Sequence, residues 1–201
     1  MEPARLEAFT DGVVAIIITI MVLEIRVPRG ADLAALQADI PVLLAYVLSY
    51  VNVGIFWNNH HHMLHVTERV DGKVLWANLA LLFWLSLVPF VIRWIDESGF
   101  TPLPTAAYGV VLTCAAVSYV ILQRQLIAVN GADSRLAVAL GRDLKGRVSI
   151  ALYVAAIALA FVRPWIAIVL YVTVALIWLV PDTRIEALVK KSPSEGLRDR
   201  R

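Results

Sequence analysis

Phe9-Thr10-Asp11-Gly12-Val13-Val14-Ala15-Ile16-Ile17-Ile18-Thr19-Ile20-Met21-Val22-Leu23-Glu24-Ile25-Arg26-Val27 is an apolar run with charges only near its two ends. A helix needs about 20 mostly apolar residues to cross the hydrocarbon core of a bilayer, and this run supplies that length. Five more follow: Ile40 to Trp57, Val74 to Trp94, about Leu103 to Leu122, Val148 to Val162, and Pro164 to Val180. The pattern predicts an all-α integral membrane protein with six transmembrane helices per subunit. Asp39 is the expected N-cap of the second helix, with Pro41 in its first turn. The last two runs are short and separated only by Arg163-Pro164, which predicts a tight helical hairpin in a thinned region.

Composition agrees. Of 201 residues 60% are hydrophobic and only 17% charged, where soluble domains carry about one-quarter charge. Mean hydropathy is +0.74. Little chain remains for a soluble domain, so residues 1–181 read as one six-helix transmembrane domain and 182–201 as a polar cytoplasmic tail. The first run lacks a small-residue cleavage site after it, so it is expected to stay as a membrane helix. The single Cys114 excludes an internal disulfide.

Basic residues set the orientation. With the N-terminus inside, only Arg26, Arg29, Arg93 and Arg163 of the 18 lysines and arginines fall outside. The positive-inside tendency therefore predicts cytoplasmic N- and C-termini. That topology gathers the head of the first helix, the end of the second and the start of the third at one face. Arg5, Asp11, Trp57, Asn58, Asn59, His60, His61, His62, His65, Trp76 and Asn78 meet there. Ionisable groups near hydrocarbon depth need partners, so Asp11 is expected to pair with Arg5 or with a histidine. Arg5 is six positions from Asp11, about 120° around the helix, so a bridge through a second helix is the easier geometry. A structural polar clamp joining three helix ends is the plainest reading.

His61 and His65 are four apart, on one helical face if the segment is helical, as in two-histidine metal motifs. No acid lies between them and no further ligands complete a site, so no metal is expected. No nucleophile, histidine and carboxylate share one region, and no glycine-rich phosphate loop is present, so no catalytic residue is assigned. Within the first helix Ile16, Thr19, Ile20 and Leu23 share a face at spacings of three and four. Gly12, Ala15 and Thr19 make a small-residue stripe beside it. Periodicity alone fits an ordinary packed or lipid-facing helix.

Arg5-Leu-Glu-Ala-Phe9-Thr10-Asp11 resembles the Arg-x-x-x-Phe-Ser-Asp signature of prokaryotic homologues of transmembrane protein 175. That family comprises the lysosomal potassium channel and its bacterial and archaeal relatives. Thr10 departs from the motif's serine but keeps a hydroxyl. Phe56-Trp57-Asn58-Asn59-His60-His61 resembles the end of the family's second helix. Trp76-Ala-Asn78-Leu79 and Leu85-Ser-Leu-Val-Pro89-Phe90 resemble its third. The motifs cover roughly the first 95 residues.

The resemblance implies a homotetramer in a prokaryotic plasma membrane, with first helices lining a central pore and moderate selectivity for potassium over sodium. It implies pore-facing apolar layers at Ile16, Ile20 and Leu23 and a hydroxyl layer at Thr19. A polar network of Arg5, Phe9, Thr10, Asp11, Trp57, Asn78 and a histidine, His60 or His61, would hold the pore helices. Glu24 would stand near the outer mouth and concentrate cations by focusing the field. The expected partners are the bilayer, potassium ions and three further copies, with no nucleic acid and no cofactor. A secondary transporter or proton-coupled carrier using Asp11 and the second-helix histidines is the alternative.

Overall fold

The computed structural model describes residues 2–28, 30–134, 136–137 and 144–179, and the regular elements among them are all helical. Helix α1 spans Pro3–Leu23, opening on a proline whose fixed φ suits the first helical turn. Leu6, Thr10, Val14, Ile17 and Met21 are its buried residues. Their spacings of three and four put one stripe of α1 against the bundle.

Helix α2 spans Leu33–His65 and is longer than its apolar run at both ends. Its N-cap is Asp32, whose carboxylate accepts from the Ala35 amide at 2.9 Å. This corrects the assignment of Asp39 as the cap: Pro41 lies inside the helix, beyond its first turn. At the other end α2 continues past Trp57 through the histidines. The Asn59 side chain donates back to the Ile55 carbonyl at 2.8 Å along this stretch.

The third apolar run forms two helices, α3 (Gly72–Ser86) and α4 (Val88–Ser98). Pro89 has no N–H for the Leu85 carbonyl, and its ring crowds that position. The ladder therefore tightens at Leu87, whose amide reaches the Trp84 carbonyl at 3.2 Å. Gly99, in the left-handed region at φ 67°, ends α4. Phe100 follows at φ 62°, an uncommon conformation for a residue with a side chain. Its ring stacks on Trp165 with centroids 5.2 Å apart, which holds the turn.

Helix α5 (Pro102–Asn130) runs through the centre, packed on α3 on one side and on α6 (Leu144–Ala160) on the other. Asn130 ends it by accepting the Glu68 and Arg69 amides at 3.1 and 2.9 Å, pinning the α2–α3 loop. A short turn then joins α6 to α7 (Pro164–Leu179). Trp178 donates to Ser149 at 2.8 Å and Tyr171 packs on Tyr153, so the pair is an antiparallel hairpin, as its sequence predicts.

Among the described residues four stretches are long and apolar enough to cross a membrane: Pro3–Leu23, Asp39–His65, Gly72–Ser98 and Pro102–Asn130. Helices α6 and α7, at 17 and 16 residues, reach only about 25 Å at 1.5 Å per residue. The tail at 182–201 lies outside the described residues.

Candidate functional site

Helices α1 and α2 run in opposite directions, so α1 has a proximal end, with the N-terminus and the end of α2, and a distal end at Leu23. The face opposite its buried stripe carries Phe9, Gly12, Ala15, Ile16, Thr19, Ile20 and Leu23, all exposed. Ile16 is 58% exposed, Ile20 40% and Leu23 80%. The stripe read from the sequence is thus the face that this subunit does not cover. Ile16 and Ile20 also border an open groove of about 720 Å³ between α1 and the α3–α4 arm, with Pro89, Phe90 and Trp94 across from them. The Thr19 hydroxyl donates back to the Ala15 and Ile16 carbonyls at 3.1 and 2.9 Å. With its proton engaged on the helix, the oxygen is left as an acceptor on the open face.

The proximal end holds two separate polar assemblies. The first is buried where α1, α2 and α3 meet. Asn78 donates from its amide nitrogen to Thr10 Oγ1 at 2.9 Å, and its carbonyl oxygen lies 2.8 Å from His60 Nε2. All three residues are 1% exposed or less. Because the amide oxygen can only accept, the imidazole proton sits on Nε2. In so dry a place each group needs its partner, since an unmet buried donor or acceptor costs about 1–3 kcal/mol.

The second assembly is a ladder between α1 and α2. Trp57 Nε1 donates to Asp11 Oδ1 at 2.8 Å. One turn along, His61 Nδ1 lies 2.6 Å from Glu7 Oε1. The rings of Trp57, His61 and His65 stack in a row down α2, with centroids 5.9 and 6.3 Å apart. Asp11 therefore finds its partner on a second helix, as the angle argument requires, but the partner is an indole rather than Arg5 or a histidine. The reason is depth: Trp57 faces Asp11, while the histidines lie one turn nearer the proximal end or on the buried side. Arg5 and Phe9 are exposed, and among the described residues Arg5 makes no ion pair. Neither enters the network within this subunit.

At the distal end Glu24 is not a free acid. Arg93 Nη1 donates to its Oε2 at 2.8 Å, so its charge is offset by a base on α4. Arg93 also bonds Glu97, and Arg26 reaches both Asp96 and Glu97. Among the described residues no cluster of three or more His, Cys, Asp or Glu is placed to hold a metal ion.

Sequence reasoning passed over Glu7 and the Arg93–Glu97 pair. A signal existed for each. Glu7 precedes Asp11 by four residues, as Trp57 precedes His61, and matched four-residue steps on two helices mark a possible ladder. Arg93 and Glu97 are themselves an i,i+4 pair. A further buried group, Tyr108 Oη 2.9 Å from Ser49 Oγ, ties α5 to α2 and had no sequence signal.

The family model described as endosomal/lysosomal potassium channel TMEM175 matches residues 5–89. A potassium channel of Chryseobacterium sp. (strain P1-3) is 50% identical over 192 residues, covering 96% of this chain and 100% of that protein. A potassium channel of Chamaesiphon minutus is 30% identical over 179 residues, 83% of this chain and 88% of that one. The human endosomal/lysosomal proton channel TMEM175 is 39% identical over 96 residues, which are 41% of this chain and 19% of that protein. The crystal structure of a lysosomal potassium-selective channel TMEM175 homolog from Chamaesiphon minutus superposes with a TM-score of 0.80 at 26% identity. That match covers 90% of this chain and 98% of that one.

Proposed function

This chain belongs to the TMEM175 family, alongside its prokaryotic members, and on that premise we propose that it forms a cation channel moderately selective for potassium over sodium. Four copies surround an axis, each with α1 innermost and six crossing helices. Both termini are cytoplasmic, in the plasma membrane of a prokaryote. Residues 1–181 make the channel domain and 182–201 a polar tail.

The observation that carries this reading is the open face of α1. Three large aliphatic side chains at one-turn spacing, with one hydroxyl among them, stand uncovered by their own subunit. Close to an axis they form stacked rings. Rings of Ile16, Ile20 and Leu23 make an apolar constriction, and such a constriction gates by excluding water. An ion crossing it sheds part of its shell, which costs potassium less than the smaller, more tightly hydrated sodium. Thr19 oxygens, their protons turned to the helix, replace part of the lost water.

The polar assemblies at the proximal end hold the pore helices in place. Asp11 is bonded to Trp57 and His60 to Asn78. These ties favour a structural role over a relay and argue against the carrier alternative.

Purified protein in liposomes, loaded with potassium and diluted into sodium or impermeant cation, tests the reading. Potassium efflux exceeding sodium flux, with unitary currents in planar bilayers, is the expected result. An absence of cation flux from protein that remains tetrameric would refute it. Saturable counterflow without unitary currents would restore the carrier.

A further inference from the structure

Ile17 and Met21 bury the inner side of the distal half of α1 in the core shared with α4, but the side carrying Ile20 faces α4 across open space. The open groove lies between them, with Ile20 on one wall and Phe90 on the other. What crosses the gap is charge. Glu24 caps α1, and its carboxylate takes Arg93 Nη1 at 2.8 Å. Arg93 Nε continues to Glu97 Oε1 at 3.1 Å. Arg26 Nη2 meets the same Glu97 oxygen at 3.2 Å, and its Nε meets Asp96 Oδ2 at 3.1 Å. The result is a single chain of alternating sign, acid, base, acid, base, acid, which links the cap of α1 and the segment just after it to one turn of α4.

An acid at a helix C-terminus opposes the helix dipole, so Glu24 does nothing for α1 by itself. Exposed ion pairs also add little stability one by one, and here only Asp96 is well covered, at 11% side-chain exposure. What the chain supplies is geometry. Its far anchor is firm, because Val88, Val91, Ile92 and Ile95 of α4 are buried. Its near anchors flank the end of α1 at Leu23, the most exposed of the three aliphatic residues on the open face.

We propose that this chain of charges is a strut that fixes the distal end of α1 relative to α4, and with it the aperture at Leu23. Glu24 and Arg93 are positioning residues for permeation, and Glu24 is not a ring that attracts cations. The proposal rests on α1 being the pore helix.

The test compares Glu24→Gln, Arg93→Gln and the conservative Arg93→Lys in planar bilayers. A strut predicts that both glutamine variants shift unitary potassium conductance in the same direction, by roughly twofold or more, and change the potassium-to-sodium permeability ratio. Arg93→Lys, which keeps a positive charge between Glu24 and Glu97, stays closer to wild type in both quantities than Arg93→Gln does. Opposite shifts in the two glutamine variants would mean that Glu24 acts by its field and would overturn the strut. Conductance unchanged in both glutamine variants would overturn it too.

A second readout does not depend on conduction. Spin labels at Leu23→Cys, in a Cys114→Ala background, report the distance between copies. The glutamine variants should shift or broaden that distance more than Arg93→Lys does; an unchanged distribution refutes the strut. Wild-type protein that passes no cation in bilayers, with spin-label distances that do respond, would fault the channel reading and leave the strut standing.

Discussion

The Trp57 indole donates to Asp11 at 2.8 Å and joins α2 to α1 at the turn where α1 enters its apolar run. Trp57→Phe keeps a ring beside His61 but strands the carboxylate. The pair is partly exposed, so the loss is expected to be about 1 kcal/mol. Asp11→Asn, which keeps an acceptor oxygen, should cost less. Melting of the purified oligomer in detergent measures both. Tetramer recovery should fall more than the potassium-to-sodium ratio changes; an intact tetramer with altered ion preference would contradict that division.

Asn78 bridges Thr10 and His60 with nothing but protein around it. Asn78→Leu removes the bridge and leaves two buried groups unmet, an expected loss of about 2–4 kcal/mol. Thr10→Ser keeps the hydroxyl and should be close to neutral, while Thr10→Val should resemble a milder Asn78→Leu. The ranking, read as melting temperatures of the three variants, is the check.

Gly109 lies where α5, α6 and α7 come together. A β-carbon there would collide with the Tyr171 hydroxyl and stand 2.8 Å from Ile157 Cγ1. The hydroxyl is itself held, donating to the Thr105 carbonyl at 3.0 Å. Gly109→Ala is therefore expected to destabilise by about 1–3 kcal/mol through overpacking. Adding Tyr171→Phe should recover part of the loss, and a double-mutant thermal-melt cycle decides whether it does.

Ile16→Asn or Ile20→Asn places an amide on the open face of α1, where no core packing is disturbed. Potassium flux from liposomes should rise several-fold as the constriction wets, and selectivity should drop. Unchanged flux in both variants would remove these two positions from the constriction.

Which residues of α1 share a face was legible because a single helix obeys a single period, but which face is buried was not. The same period was silent about α2 beyond Trp57, where Asn58, Asn59 and three histidines interrupt the apolar run. Helix persists there because tertiary partners exist for those side chains: Asn78 for His60 and Glu7 for His61. Hydropathy likewise saw one span from Val74 to Trp94. Pro89 marks the break, but a window average weights a missing N–H no differently from any other residue. The Glu24–Arg93 contact joins residues 69 positions apart. Nothing local to Glu24 announces it, and so the acid looked free.

The Glu7–His61 and Asp11–Trp57 ladder repeats at one helical turn on both of its rails. Sliding α1 along α2 by one such step, about 5.4 Å, would offer Asp11 to His61 and Glu7 to His65, each again an acid facing a ring nitrogen. In that direction the ladder meshes again at the next notch, so it does not fix the register by itself. Thr10, Asn78 and His60 lack that freedom, since their one buried amide meets one hydroxyl at one depth. The dry junction is the pawl, and the depth of every side chain on the open face of α1 is inherited from it.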